Sequence, residues 1–201
     1  MSQGDFNNKV VLVTGAASGI GEAIAKAFLE QGAEVIVVDL DISALNNCFD
    51  SYNLAKSLQQ DLTVANAAET IADWVARNGG RLDILVNNAG RALPSEIGTT
   101  TDELWQTMMD INVNAMFRLT RELLPLLKNS DAGRIINLGS IMSDMAGPNL
   151  FAYGTTKHAV AGMTKSMSVD LGKFGITANY LQPGAIVTAL SKPFFDDVTF
   201  K

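Results

Sequence analysis

Short apolar stretches alternate along the chain with longer segments in which apolar residues recur every three or four positions. The first apolar stretch, KVVLVT, has no alternating polar residues. This pattern is typical of a strand covered on both faces of a parallel sheet. Six apolar stretches are predicted to be strands: Lys9–Thr14, Glu34–Val38, Ala55–Gln60, Asp83–Val86, Arg134–Leu138 and Ile176–Leu181.

The segments between these strands have the spacing of amphipathic helices. The first helix is predicted from Ile20 to Phe28, and Gly32 stops it because glycine commonly follows the last helical residue. Pro125 is expected to kink or end a later helix, since proline removes a backbone donor. The other predicted helices are Ile42–Phe49, Val64–Arg77, Asp102–Leu124 and Phe151–Phe174.

Alternation of strands and helices requires crossover connections, which pair the strands in parallel and place helices on both faces of the sheet. The sequence contains no linker, internal repeat or low-complexity tract. Residues 1–201 are therefore predicted to form a single doubly wound α/β domain of the Rossmann type. Ligands of such domains bind beyond the carboxyl ends of the strands, so functional residues are expected in the turns that follow them.

The composition argues against several classes of function. A formal net charge of −6 does not suit a nucleic-acid binder that depends on a basic face. One cysteine and one histidine cannot form a zinc cluster, so no metal site is predicted. The sequence has no apolar run long enough to cross a bilayer and no amino-terminal secretory pattern. We therefore expect a cytoplasmic protein with no membrane partner.

A glycine-rich turn follows the first predicted strand. Gly15, Gly19 and Gly21 have the spacing G-x-x-x-G-x-G and lead into the first helix. Glycines permit a tight turn and a close approach of the backbone to a pyrophosphate, while the helix amino terminus supplies amide donors. The turn is predicted to bind a dinucleotide; the alternative is a glycine turn required for packing only.

Asp39 ends the second strand, where a carboxylate can accept hydrogen bonds from the ribose hydroxyls of an adenosine. The same carboxylate would repel a 2′-phosphate, and nearby residues are neutral, so NAD is favoured over NADP. The alternative role of Asp39 is a cap or turn residue for the next helix. Polar residues also follow the third and fourth strands, at Asp61–Leu62 and Asn87–Gly90, and fit either turns or cofactor contacts.

A second candidate site lies at the start of the last long helix. Tyr153 and Lys157 are four residues apart and share one helix face. An ammonium beside a phenol lowers the tyrosine pKa and suits the phenol to acid–base catalysis. Ser140 follows the fifth strand, where its hydroxyl would donate a hydrogen bond to a substrate oxygen. Each of these residues, taken alone, also fits an ordinary helix or turn position.

Together these motifs resemble the short-chain dehydrogenase/reductase family of the classical type, over nearly the whole chain. The resemblance implies hydride transfer between a nicotinamide dinucleotide and an alcohol or ketone carbon. The matching features are T-G-x-x-x-G-I-G at Thr14–Gly21, N-N-A-G at Asn87–Gly90, Asn112, Ser140, Tyr153 with Lys157, and Pro183–Gly184.

The resemblance also implies a role for each catalytic candidate. Tyr153 would be the general acid or base, and Lys157 would bind the nicotinamide ribose and lower the pKa of Tyr153. Ser140 would orient the substrate oxygen, and Asn112 would hold a water in a proton relay. Besides Tyr153 and Lys157, the predicted cofactor-binding residues are Gly15, Ser18, Gly19, Ile20, Gly21, Asp39, Asp61, Leu62, Asn88, Ala89, Gly90, Pro183, Gly184, Ile186 and Thr188.

The carboxyl-terminal end departs from the family pattern. Members of the family continue through a substrate-covering loop, a further helix and a final strand, whereas this sequence ends at Lys201. Either the sequence is shortened or the sheet lacks that strand, and residues 185–201 are interpreted as the start of the loop. Phe194, Phe195 and Phe200 would form a lid over the substrate or cover the edge of the sheet.

The main interpretation is an NAD-dependent oxidoreductase that acts on a small secondary alcohol or ketone. The alternative is a non-catalytic dinucleotide sensor or scaffold on the same fold. A nucleotide-sugar epimerase shares the pairing of tyrosine and lysine but would need more chain after the sixth strand. In the family, the two long helices mediate self-association, so we expect a homodimer or homotetramer through Asp102–Leu124 and Phe151–Phe174.

Overall fold

The computed structural model describes residues 5–188 of the chain. Its strands follow the predicted apolar stretches closely, with ends that differ by one residue at most. They are β1 (Val10–Thr14), β2 (Glu34–Asp39), β3 (Ala55–Gln59), β4 (Ile84–Asn87), β5 (Arg134–Leu138) and β6 (Thr177–Leu181).

The strands form one parallel sheet in the order β3-β2-β1-β4-β5-β6. In its centre, Leu12 of β1 is paired with Ile36 of β2 on one side and with Leu85 of β4 on the other. The direction of winding reverses between β1 and β4, so their carboxyl ends flank the crevice in which doubly wound sheets bind ligands. The predicted Rossmann-type α/β fold is confirmed.

Helices connect the strands at the predicted places, but only the helix over Ile42–Phe49 has both of its predicted ends. The helix predicted over Val64–Arg77 begins later, at Ala67, because Thr63 is held in a turn by hydrogen bonds to Asp61. The α-helices are α1 (Gly19–Glu30), α2 (Ile42–Phe49), α3 (Ala67–Arg77), α4 (Asp102–Met109), α5 (Ala115–Leu127) and α6 (Phe151–Leu171), with short 3₁₀ turns at Ile141–Ser143 and Gly172–Phe174.

The helix predicted over Asp102–Leu124 is not continuous. A single π-helical turn, Asp110–Asn114, separates α4 from α5 and places Asn112 in the protein interior. Such turns accommodate one extra residue and frequently occur at functional sites. Pro125 does not end α5, which continues to Leu127. The proline removes only the hydrogen bond to the carbonyl of Arg121, a solvent-exposed residue whose carbonyl can bond to water instead.

Two apolar cores cover the two faces of the sheet, as expected for strands buried on both sides. Alternate residues of β1 show the arrangement, since Leu12 belongs to one core and Val13 to the other. The first core packs under α3, α5 and α6, and the second packs under α1 and α2. Both cores leave the carboxyl edge of the sheet free for the polar turns of the site.

Among residues 5–188, β6 pairs only with β5 and forms an edge of the sheet. Phe194, Phe195 and Phe200, which are predicted to form a lid or to cover this edge, lie outside the described residues. In the described part of the chain, no helix is long and apolar enough to cross a membrane. Within the same range, no three His, Cys, Asp or Glu side chains are grouped as metal ligands.

Candidate active site

The glycine-rich turn between β1 and α1 is packed too closely for a side chain at Gly15 and Gly21. Gly15 has a φ of +64°, a left-handed conformation that favours glycine. A Cβ at Gly21 would lie 2.1 Å from the carbonyl oxygen of Gly15, so that position requires glycine as well. The turn thus presents bare backbone at the amino terminus of α1, where amide groups and the helix dipole favour an anion.

The turn is held against the end of β4 by two polar side chains. Asn88 donates from its side-chain amide to the carbonyls of Thr14 and Gly15, at 2.8 and 3.0 Å. The Thr14 hydroxyl accepts from the backbone amides of Asn88 and Ala89, each at 3.1 Å. These bonds fix the N-N-A-G segment and the glycine-rich turn as one unit at the switch point of the sheet.

Asp39 borders this unit at the end of β2. One of its carboxylate oxygens accepts a hydrogen bond from the backbone amide of Ala17 at 2.9 Å. Asp41 is the residue that caps α2, because its side chain accepts from two backbone amides in the first turn of that helix. The alternative interpretation of Asp39 as the helix cap is therefore wrong.

A cleft of about 630 Å³ opens along the carboxyl edge of the sheet. Further lining residues, which no sequence motif marks, come from the segment after β4 and from α4 with its π-helical turn; they include Arg91, Thr107, Asp110 and Ile111. Most of the predicted cofactor-binding residues also line the cleft: Gly15, Ser18, Gly19, Ile20, Asp39, Asp61, Leu62, Asn88, Ala89, Gly90 and Thr188.

Six predicted cofactor-binding residues are not among those that line the cleft: Tyr153 and Lys157 on α6, and Gly21, Pro183, Gly184 and Ile186. Gly21 lies behind Gly15, against which it packs. The carbonyl of Pro183 accepts a 3.1 Å hydrogen bond from the amide of Ile141, the residue that follows Ser140. The amide of Ile186 donates to the carbonyl of Gly184 at 3.0 Å, and half of Ile186 is exposed. Pro183, Gly184 and Ile186 belong to the segment after β6.

Asp61 combines a turn with a position in the cleft. Its carboxylate accepts from the hydroxyl of Thr63 at 2.7 Å and from the amide of the same residue at 2.8 Å. Both hydrogen bonds favour the ionised form and lower the pKa of Asp61. Turn formation and cofactor contact, the two roles left open by the sequence, are thus compatible at this residue.

Ser140 and Tyr153 meet at the start of α6. A hydrogen bond with Ser140 lowers the pKa of Tyr153, but burial has the larger effect, and the net pKa of the phenol is raised above its ordinary value. Ser140 is itself buried, and its hydroxyl accepts a 3.1 Å hydrogen bond from the amide of Met142. The serine is therefore oriented by its own turn while it faces the tyrosine.

Lys157 does not lower the pKa of Tyr153, contrary to expectation. Its ammonium group lies 5.6 Å from the centre of the Tyr153 ring and donates a 2.6 Å hydrogen bond to the carbonyl of Leu138. The side chain is only 5% exposed, and burial lowers the pKa of Lys157 to about 8. At neutral pH the lysine is thus a buried cation anchored to the end of β5.

Asn112 connects the catalytic helix to the segment after β4. Its side-chain oxygen accepts from the amide of Arg91 at 2.8 Å, and its amide group donates to the carbonyl of the same residue at 2.9 Å. The amide group also donates to Thr156 at 3.0 Å, and the Thr156 hydroxyl donates to the carbonyl of Tyr153 at 2.7 Å. Protein partners therefore occupy both amide hydrogens of Asn112, the side chain expected to hold a relay water.

Comparison with known proteins assigns the chain to a family. Residues 9–199 match the family described as short chain dehydrogenase. The chain belongs to the short-chain dehydrogenase family. One relative of this short-chain dehydrogenase is the 3-oxoacyl-[acyl-carrier-protein] reductase FabG of Vibrio cholerae. The two are 34% identical, over 96% of this chain and 80% of the relative.

Solved structures agree with the assignment. The 3-ketoacyl-(acyl-carrier-protein) reductase of Brucella melitensis, complexed with NADH, is 30% identical with a TM-score of 0.88, over 92% of this chain and 79% of that one. The RhlG/NADP active-site complex of Pseudomonas aeruginosa is 30% identical with a TM-score of 0.89, over 96% of this chain and 78% of that one. The protein is thus an oxidoreductase of the short-chain dehydrogenase type.

Proposed function

We propose that this short-chain dehydrogenase transfers a hydride between NAD(H) and a secondary alcohol or ketone, with Tyr153 as the general acid or base. The observation that supports this most is the meeting of the Ser140 and Tyr153 hydroxyl groups beside the carboxyl end of the sheet. When bound, the nicotinamide supplies or accepts the hydride. In alcohol oxidation, the ionised Tyr153 oxygen takes the hydroxyl proton of the substrate, and in reduction it returns that proton.

The neighbours of Tyr153 have supporting roles in this proposal. Ser140 donates a hydrogen bond to the substrate oxygen and holds it within reach of the phenol. Lys157 keeps a positive charge below the pH that matches its pKa of about 8. The charged ammonium group offers hydrogen-bond donors to the ribose of the nicotinamide. Asn112 positions the helix through Thr156.

The residues at the glycine-rich turn fit a dinucleotide. A Cβ at Gly15 would come within 2.9 Å of Ala89, so the cradle exists only because glycine occupies this position. The amides at the start of α1 suit the pyrophosphate, and Asp39 suits the adenosine ribose. We propose NAD rather than NADP because a carboxylate lies where a 2′-phosphate would need a cation. The related structures include both an NADH complex and an NADP complex, so they do not decide between the two.

Self-association and location also belong to the proposal. We propose a homodimer or homotetramer whose interface is formed by α4, α5 and α6. Phe117 on α5 is 48% exposed and Val169 on α6 is 80% exposed, and an interface would cover such apolar side chains. A cytoplasmic location is proposed because a single cysteine allows no internal disulfide and fits a reducing compartment. Light scattering that finds only monomers at micromolar concentration would contradict the oligomer.

A coupled absorbance assay tests the proposed function. Wild-type protein is mixed with NAD or NADP and a panel of secondary alcohols, and with the reduced cofactors and a panel of ketones. We expect turnover with at least one substrate pair and a higher kcat/KM with NAD. Tyr153→Phe should lower kcat by about a thousandfold, because the phenol carries the proton transfer. Wild-type protein that binds NADH but turns over none of the panel would favour the non-catalytic sensor.

A further inference from the structure

The helix that carries Tyr153 begins without a cap of its own. α6 starts after Leu150, whose side chain has no polar atom, whereas α2 and α4 begin at Asp41 and Thr101 with side-chain caps. The first backbone amides of any helix lack partners within the helix. In α6, these amides lie immediately before the catalytic tyrosine, so whatever binds them also fixes where that tyrosine stands.

Ser95 supplies the missing cap from a distant part of the chain. Its hydroxyl accepts from the amide of Ala152 at 3.0 Å, and its carbonyl accepts from the amide of Phe151 at 3.0 Å. Its own amide donates to the carbonyl of Asn149 at 2.9 Å. Ser95 is 6% exposed, and 57 residues separate it from Ala152. Three hydrogen bonds thus join this residue to three positions around the helix start, Asn149, Phe151 and Ala152.

The segment that contains Ser95 is also fixed at its other end. Arg91, four residues earlier, exchanges two hydrogen bonds with the Asn112 side chain. Asn112 reaches Tyr153 through the Thr156 hydroxyl. The first turn of α6 is therefore held at its amino end by Ser95 and one turn later by Asn112, and the segment that follows β4 contains Ser95 and is bonded to Asn112 at Arg91.

We infer that Ser95 is a positioning residue that caps the catalytic helix from the segment after β4 and holds Tyr153 in register with Ser140. This inference rests on the proposed role of Tyr153 as the acid or base. Loss of the cap frees the amide of Ala152 and lets the first turn of α6 loosen. The distance between the phenol and Ser140 then increases, and proton transfer slows even though the dinucleotide cleft is unchanged.

Ser95→Ala is compared with Thr101→Ala, a matched control that deletes the hydroxyl cap of α4. The Thr101 hydroxyl accepts from the amide of Leu104 at 3.2 Å, a hydrogen bond at the start of α4. Both variants should lower the unfolding temperature, since each loses one helix cap. Only Ser95→Ala should lower kcat, by about tenfold, with the dissociation constant for NADH within about twofold of wild type.

The pH dependence separates positioning from a general loss of stability. In Ser95→Ala, the pH of half-maximal alcohol oxidation should move upward, because a weaker Ser140 hydrogen bond no longer lowers the pKa of Tyr153 as much. Thr101→Ala should keep the wild-type profile. Ser95→Thr, which retains a capping hydroxyl, should recover most of the lost kcat.

Two outcomes would overturn the inference. If Ser95→Ala matches Thr101→Ala in kcat and pH profile while Tyr153→Phe is inactive, Ser95 does not position the tyrosine, and the proposed function stands. If Tyr153→Phe retains wild-type turnover, the proposed function and this inference both fail. Measurement of all four variants in one assay therefore distinguishes the two failures.

Discussion

The two halves of the site differ in the atoms that form them: the dinucleotide half lies around the glycine-rich turn, and the catalytic half lies around Tyr153. At the dinucleotide half, backbone atoms form the surface, and glycines at positions 15 and 21 let that backbone approach a ligand closely. At the catalytic half, the functional groups are the phenol of Tyr153, the hydroxyl of Ser140 and the buried ammonium group of Lys157. Each of them is held by a hydrogen bond. Burial raises the pKa of Tyr153 and lowers that of Lys157, so protonation is controlled at this half.

This difference separates binding from chemistry. Cofactor binding at the dinucleotide half should not change when residues of the catalytic half are substituted, because no catalytic side chain covers the glycine-rich turn. The catalytic half depends on hydrogen bonds with a backbone carbonyl of β5 and with side chains from the π-helical turn and from the segment after β4. Substitutions at the first half should therefore change cofactor affinity or choice, and substitutions at the second should change rate.

After Tyr153→Phe, the largest effect on the catalytic half is expected from Ser140→Ala. The variant loses the donor to the substrate oxygen and the hydrogen bond that lowers the pKa of Tyr153. We expect kcat to fall by about a hundredfold, the pH of half-maximal alcohol oxidation to rise, and NADH affinity to stay unchanged. Steady-state kinetics over a pH series measure this. Ser166→Ala, the same change on an exposed part of α6, is the control; a wild-type kcat for Ser140→Ala would contradict the account.

At the dinucleotide half, Asp39→Asn should alter cofactor choice. The substitution removes the charge but keeps an oxygen that can accept from the Ala17 amide. We expect the ratio of kcat/KM for NADP to that for NAD to rise about thirtyfold, because repulsion of a 2′-phosphate is removed. Asp41→Asn changes the neighbouring acid, which caps α2, and should leave the ratio unchanged. Equal ratios in wild type and Asp39→Asn would remove the basis for NAD preference.

The buried charge of Lys157 should appear in the pH dependence of stability. Its pKa is about 8 in the folded protein, against an ordinary value of 10.5. Below pH 8, Lys157 is protonated in both the folded and the unfolded protein, and the full cost of burying its charge destabilises the folded protein. Between these two pKa values the unfolded state binds more protons, so stability rises with pH. From pH 7 to 9.5, wild type should therefore gain about 2 kcal/mol relative to Lys157→Met.

Chemical denaturation of both proteins at several pH values measures that change. Lys165→Met, which removes an exposed lysine from the same helix, is the control and should show no such trend. A constant difference between wild type and Lys157→Met across this range would mean that the folded protein keeps the lysine charged above pH 8.

A smaller effect is expected from Gly15→Ala. The new Cβ would lie 2.9 Å from the Cα of Ala89, so the turn must shift away from the N-N-A-G segment. NADH affinity should weaken by about tenfold, while kcat at saturating cofactor stays near wild type. Gly162→Ala, on the exposed side of α6 with open space around it, should instead raise stability by up to about 1 kcal/mol. A fall in kcat with unchanged NADH affinity for Gly15→Ala would show that the glycine-rich turn controls the rate and not the binding of the cofactor.

Sequence patterns reveal the parts of the site that depend on local spacing. The strands, the glycine-rich turn and the placement of Tyr153 and Lys157 on one helix face follow from periodicity and from residue types within a few positions. The π-helical turn at Asn112 has no such signal, because its extra residue is stabilised by bonds to Arg91 and Thr156 that come from other elements.

Long-range contacts also determine features of the catalytic half that residue spacing does not predict. The spacing of Tyr153 and Lys157 correctly predicts neighbours on a helix, but not that the ammonium bonds to the carbonyl of Leu138. Likewise, Ser95 lies in a segment without a motif, and its partner Ala152 is 57 residues away. Side-chain direction and burial, which set protonation, are properties of the packed structure and leave no trace in residue spacing.

The central claim is that Tyr153 performs the chemistry while the dinucleotide is held elsewhere in the site. A titration of the Tyr153→Phe protein with NADH, followed by fluorescence, tests this most directly. We expect the Tyr153→Phe protein to lose turnover but to bind NADH with a dissociation constant within about twofold of wild type. Loss of NADH binding together with turnover would contradict it, because Tyr153 would then be needed to build the cofactor site itself.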